Sequence, residues 1–298
     1  MTEDVAPQYV AARTVLLNAL DALSAHRDAI VVVGAQAVYL RTGSAGLTVA
    51  PFTTDGDLAL NPSLLSDDPR LGQAMLEGHF ALRTDPTGHQ DPGTWVMTVT
   101  VQGAELAVPV DLIVPAGALA GGKTRGARLP VHGRTAAKRA YGLEAALVDR
   151  SVLTVTGLAA GDTRATPVAV AGPAALLVAK VIKLGERVAD AKHPDRQKDK
   201  DAMDVLRLIR AIPAAEMAAR MHELRDDPLA GEVTRHALEQ FPTLSRRNPF
   251  TRCRHGHPRC CHRHSRCASQ SPAHRLRPRL AGSSGLTQTQ PPGAAHRG

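Results

Sequence analysis

Two aspartates one residue apart, Asp55 and Asp57, stand in the stretch TTDGDL (Thr53 to Leu58), at the head of a run that otherwise reads as a strand. Alternate residues of a strand share a face, so a strand here holds both carboxylates side by side on one surface of a sheet. Like charges that close raise each other's pKa unless a cation lies between them. A tight turn would also accept Asp and Gly, so the neighbouring sequence decides. Upstream, Gly34 joins the apolar, β-branched AIVVV to a helical pattern. Backbone N–H groups at such a junction, with the helix dipole, form an anion site suited to phosphate. Downstream, VPVDLIV sets a third carboxylate, Asp111, into an apolar strand, where it is costly unless paired or metal-bound. Three carboxylates on neighbouring strands facing a phosphate-binding turn predict a site for Mg²⁺, which completes its shell with water and substrate phosphate. Two such ions would activate an attacking hydroxyl and neutralise a departing pyrophosphate.

The formal charge of +8 over 298 residues suggests nucleic acid only until it is located. Residues 246–298 contain eleven Arg and no Lys, Asp or Glu. Residues 1–245 therefore hold 25 of the 36 basic side chains against all 28 acidic ones, a net of −3. The body is mildly acidic. Its lack of cysteine fits a reducing compartment, since Cys253, Cys260, Cys261 and Cys267 all lie in the tail. MTEDVAPQ has no basic-then-apolar order of a secretory signal. The longest apolar run, about Ala165 to Ala179, is too short for a bilayer and is broken by Pro167 and Pro173. A cytoplasmic protein without a membrane partner is expected.

Periodicity predicts a helix over 11–26, a strand ending at Gly34, a helix stopped by Gly43, a strand over 53–60 and a helix over 70–78. Strands over 94–101 and 105–114 flank Gln102-Gly103-Ala104 as a hairpin, with Pro109 marking an edge or bulge. A Gly- and Arg-rich loop over 116–133 leads to a short helix over 135–141 and a strand over 152–156. From Gly172 to Phe241 the pattern is helical, beginning with Pro173 at the first helical position. The expected class is α+β, with an α/β core over 1–157, a helical subdomain over 158–245 and a tail over 246–298. The tail has no periodicity, and its Arg, Pro, His and Cys bias is what a GC-rich gene yields in a shifted frame. Its Cys and His spacings form no paired zinc modules.

The order strand–Gly34–helix, then Asp55-x-Asp57, then Asp111 on a later strand resembles the nucleotidyltransferase superfamily that includes polymerase β. KLGERVADAKHPDRQKDKDAMDVLRL is similar to the conserved block of AbiEii-type nucleotidyltransferases, the toxins of type IV toxin–antitoxin systems to which the MenT toxins are related. The resemblance covers roughly residues 28–212. It implies a polymerase β-like core, NTP as substrate, Mg²⁺ held by Asp55, Asp57 and Asp111, and catalytic parts for Lys183 and Asp204, the latter orienting the lysine. The nucleotide would be bound by Gly34, Ala35, Lys183, Lys198 and Lys180, which lies one turn before Lys183. The acceptor would be tRNA or a protein, the partner a cognate antitoxin. Arg41, Arg187 and Arg196 are further phosphate or RNA candidates, and Trp95 reads as core.

Two departures stand out. The family usually has Gly-Gly or Gly-Ser where this chain has Gly34-Ala35, and an apolar residue where it has Gly56. A small-molecule nucleotidyltransferase and a nucleotide-binding module without turnover are the alternatives. A dinucleotide-binding turn is excluded, because Ala35, Gln36 and Ala37 follow Gly34 in place of further glycines.

Overall fold

Isoleucine and three valines, Ile30 to Val33, have no polar face to offer water, and they form a strand buried on both sides. This strand, β1, lies inside a mixed sheet. The computed structural model describes residues 5–43, 52–121, 124–190 and 199–246. In chain order the elements are α1 (Pro7–Ala22), β1 (Ile30–Val33), α2 (Gly34–Thr42), β2 (Gly56–Leu60), α3 (Leu71–Glu77), β3 (Ala81–Thr84), β4 (Gln90–Val101) and β5 (Ala104–Pro115). They continue with β6 (Lys138–Ala140), β7 (Arg150–Thr156), β8 (Ala165–Ala171), α4 (Pro173–Ala189), α5 (Asp199–Ala211), α6 (Ala214–Asp226) and α7 (Gly231–Arg246).

The strands lie in the order β3-β4-β5-β2-β1-β8-β7, with β6 also on β5. β1 runs antiparallel to β2 and parallel to β8, while β2 runs parallel to β5. The β4–β5 hairpin turns on Gln102 and Gly103, both at positive φ, as a two-residue loop requires. Helix α1 buries Val15, Leu16 and Leu20, and a methyl carbon of Leu16 lies 3.4 Å from where a Cβ on Gly56 would be. A side chain there would meet the helix. The mixed sheet flanked by helices, followed by a run of four helices, is the α+β architecture the pattern predicts.

Several local expectations are corrected. Residues 135–141 are not a helix. Lys138–Ala140 form β6, paired parallel to Ile113–Pro115, so sheet pairing outweighs the local helix preference of Ala and Lys. Pro109 sits in an interior strand, yet β2 pairs only with Val110 to Ile113, leaving Pro109 one residue beyond that ladder. Strands β3 and β8 were not separated from loop and helix by pattern alone. Because β8 lies between β1 and β7, the sheet runs past residue 157 and the all-helical part begins at α4. The tail readings, including the cysteines, lie outside the described residues. Among the described residues no helix is long and apolar enough to cross a membrane.

Helix α4 starts where Pro173 follows Gly172, and its first turn borrows a cap from elsewhere: Ala175 N–H donates to Asp149 Oδ2 at 3.0 Å. Asp149 Oδ1 accepts from Arg220 Nε on α6 at 2.9 Å, which ties the helical part to the sheet. Leu58 has no exposed surface and lies in register between Val32 and Leu112. Leu58→Ala is expected to lower the unfolding free energy by about 2–5 kcal/mol, read from the denaturant midpoint with the slope unchanged.

Candidate active site

Residues directly paired across a sheet share a face. Val33 pairs with Asp57, Asp57 with Asp111, and Asp111 with Thr94, so four strands contribute one row. Neighbouring strands lie about 5 Å apart, which sets the Asp57 and Asp111 carboxylates side by side. At the end of that row β1 turns into α2 at Gly34, whose φ is +69°. A Cβ added there would fall 1.9 Å from Asp57 Oδ2. Glycine is required twice over, by the left-handed backbone and by the carboxylate pressed against it.

Asp55 precedes β2 rather than opening it. Its carbonyl accepts from Gln36 Nε2 at 3.0 Å, and its carboxylate from the buried Thr53 hydroxyl, so side chains and not a partner strand hold this residue. Gln36 is itself fixed: its Oε1 accepts from Arg13 Nε at 2.8 Å, and Nε2 also donates to Ala12 O at 3.1 Å. On the open side Lys200 of α5 donates to Thr53 Oγ1 at 2.7 Å, with its ammonium 3.5 Å from Asp55 Oδ1. Asp111 has a lysine as well. Lys138 Nζ lies 2.5 Å from its Oδ2, while Thr94 Oγ1 donates to its Oδ1 at 2.8 Å.

The electrostatics follow. Burial, then the charges of Asp55 and Asp111, push the Asp57 carboxyl up to about 6, against the weaker pull of Lys183 and Lys138. Burial acts the same way on Asp55, but Lys200, the Thr53 hydroxyl and Lys183 together hold it below the usual carboxylate range. Asp57 is the frustrated member of the row.

The two lysines of α4 part company. Lys183 is half exposed, 3.8 Å from Asp201 Oδ1, and bears on both Asp55 and Asp57. Lys180 is buried, its ammonium 2.9 Å from Asp201 and 2.5 Å from Asp204. Burial alone would lower its pKa, but Asp204 and Asp201 outweigh burial and hold it charged. Asp204 thus lies against Lys180, and Asp201 is the carboxylate nearest Lys183. Arg187 joins the cluster through Asp201. Arg41 is turned to the far sheet edge, donating to Ala171 O at 2.9 Å and Val170 O at 2.5 Å. Trp95 is buried, its indole donating to Ala136 O at 2.9 Å. Ala35 follows Gly34 in the first turn of α2, which no side chain caps. Lys198 and Arg196 lie outside the described residues.

Sequence reasoning passed over Thr53, Thr94, Gln36, Lys138 and Lys200. Lys200 carried a signal, as a cation in the first turn of a helix where the dipole disfavours one. Lys138 carried none, because its place depends on β6. An apolar cavity of about 480 Å³ lies elsewhere, between Leu177, Val181, Ile209, Met217, Leu238 and Phe241 among others. Its lining is apolar apart from His222, with no lysine or arginine to meet a triphosphate.

A family model for nucleotidyltransferases matches residues 12–225. No curated protein sequence matches the chain significantly. Among solved structures, an antigenic nucleotidyltransferase-like protein from Paracoccidioides brasiliensis is similar at 16% identity over 78% of this chain and 92% of that one, with a TM-score of 0.38.

Asp57 also affects stability. Its folded pKa of about 6 exceeds the ordinary 3.8, so its contribution is fully present below pH ~4 and lost as pH rises through about 6. Asp57→Asn removes that loss. In ion-free buffer it is expected to stabilise the chain at pH 7 by roughly 2–3 kcal/mol and to flatten the melting-temperature profile between pH ~4 and ~6.

Proposed function

The chain belongs to the nucleotidyltransferase family, and we propose that it moves a nucleoside monophosphate from an NTP to an acceptor hydroxyl, with magnesium, at the row of Gly34, Asp57 and Asp111 flanked by Asp55. The carrying observation is the register: Asp57 is paired with Asp111 on the neighbouring strand and pressed against the backbone of Gly34. The donor set suits a hard divalent cation, being carboxylates that repel one another beside an uncapped helix start. Among the described residues no three Asp, Glu, His or Cys side chains converge closely enough to enclose an ion as they stand. Lys200 lies beside Asp55 and Lys138 beside Asp111, so both carboxylates already face positive charge. Magnesium held among Asp55, Asp57 and Asp111 would supply charge neutralisation for the triphosphate and make the acceptor oxygen a better nucleophile.

The chain's own residues do the rest. The first N–H groups of α2, at Gly34 and Ala35, receive phosphate oxygens with the dipole behind them. Lys183, half exposed and facing the carboxylates, meets the triphosphate, while Lys180 stays enclosed and keeps Asp204 and Asp201 in place. The acceptor oxygen attacks the α-phosphorus, a new O–P bond forms, and pyrophosphate leaves with the electrons of the broken bond. Asp111, beside the attacking oxygen, takes the hydroxyl proton. Positioning and charge carry most of the rate in such transfers.

The similarity of the Lys183–Asp204 block to AbiEii-type enzymes supports a tRNA end or a protein hydroxyl as acceptor. It also supports growth arrest, relieved by a cognate antitoxin in the cytoplasm, as the role. A second reading, nucleotide binding without turnover, is favoured by the lysines that already engage Asp55 and Asp111.

Incubation with α-³²P-labelled NTPs, Mg²⁺ and a tRNA or protein acceptor separates the two. Transfer predicts label on the acceptor, lost with EDTA and reduced about 100-fold or more in Asp57→Ala. Lys183→Ala is expected to raise the KM for NTP. Binding of labelled nucleotide with no label on any acceptor would establish the second reading.

A further inference from the structure

The proposed transfer does not by itself explain Lys138. Its ammonium occupies one oxygen of Asp111 while the Thr94 hydroxyl occupies the other, so both oxygens of that carboxylate are engaged. The lysine is only 16% exposed, against 33% for Lys200. The backbone on either side of Lys138 is fixed from several directions. Gly93 N–H donates to Thr135 O at 2.8 Å, Trp95 Nε1 to Ala136 O at 2.9 Å, Ala127 N–H to Ala137 O at 2.9 Å and Arg139 N–H to Arg125 O at 2.7 Å. Gly93, at φ +72°, allows the approach: a Cβ there would lie 2.1 Å from Lys138 N. Four tertiary hydrogen bonds thus hold residues 135–139, three of them just before the short strand β6 and one on it, and the first side chain of that strand reaches Asp111. Lys200 is held more loosely, from one helix, at 3.5 Å from Asp55.

A point charge of +1 fixed at Asp111, which the transfer reading sets beside the acceptor hydroxyl, would do what an acceptor-side metal ion does. A second divalent ion placed against it would be repelled, by ~1–2 kcal/mol even at the dielectric of water and more in a partly buried site. We propose that the Lys138 ammonium is the acceptor-side cation of the transfer, so that this chain works with one divalent ion, held by Asp55 and Asp57, and not two. The inference rests on the transfer reading above and deepens it. In the step, the acceptor oxygen bonds to the α-phosphorus, the bond from that phosphorus to the bridging oxygen breaks, and pyrophosphate carries away the electron pair. The hydroxyl proton passes to Asp111. Lys138 keeps its own proton and offsets charge on the attacking oxygen.

The number of ions bound is the decisive quantity. The full chain is titrated with Mn²⁺ in the presence of α,β-methylene analogues of the four NTPs, and bound ions are counted by electron paramagnetic resonance. One protein-bound Mn²⁺ per ternary complex is expected, rising to two in Lys138→Met. At divalent-ion concentrations too low to fill that second position, the transfer rate of the variant should fall about 10- to 100-fold, with most of it restored in Lys138→Arg. Two ions in the wild type, or one in both wild type and Lys138→Met, would overturn the inference and leave the transfer reading standing. No ion in any complex would sink both. Should Lys138→Met fail to fold, the anomalous Mn map of a wild-type crystal with the same analogue decides. A single peak with the ammonium still on Asp111 supports the inference; an ion between Asp57 and Asp111 overturns it.

Discussion

Everything at the site depends on one strand register, Asp57 opposite Asp111 with Gly34 closing the end of the row. A slip of one residue along β2 would send Asp57 to the other face and bring Gly56 or Leu58 to the carboxylate's place. The register is set by apolar burial, since Leu58, Leu60, Val110 and Leu112 all lie in the core. The hydrophobic interior, indifferent to chemistry, is thus what aligns two like charges that electrostatics alone would separate. The penalty falls on Asp57, which among the described residues has no lysine paired with it, unlike Asp55 and Asp111. On the proposed reading, a cation bound beside Asp57 would relieve that penalty.

What could be read from the chain before its structure follows the range of the interactions concerned. Gly34, Asp55, Asp57 and Asp111 announce themselves because charge inside an apolar, strand-like run is rare and costly. The hairpin at Gln102-Gly103 and the start of α4 at Pro173 were equally open to reading, since turn and cap chemistry is local. Lys138 was not. Its neighbours Ala136, Ala137 and Ala140 favour a helix, and only pairing with Ile113–Pro115, distant in sequence, makes the segment a strand. Gln36 was hidden for the same reason: a glutamine in a short helix looks like surface, yet it is buried and holds the Asp55 carbonyl from inside. The positions that fold-level contacts create are the ones local pattern cannot see.

The division of labour on α4 shows the same limit at one helical turn. Lys180 and Lys183 are the same residue type at i and i+3, so spacing cannot tell them apart. Burial does. Lys180 is wrapped by Asp201 and Asp204, and an ammonium so enclosed can leave only by stranding two buried carboxylates, which costs several kcal/mol. Its chemistry is structural: it joins α4 to α5 and thereby fixes the helix start that carries Lys200. Lys183 is half exposed, with Asp201 at 3.8 Å among the described residues and the site's carboxylates within electrostatic reach. On the proposed reading it turns toward an incoming polyanion, and Asp201 keeps Lys180 and Arg187 as partners when it does. A lysine meant to follow a substrate must be cheap to detach, and a lysine meant to hold two helices must not be. A helix anchored through Lys180 holds Lys183, one turn further on, within electrostatic reach of the site's carboxylates.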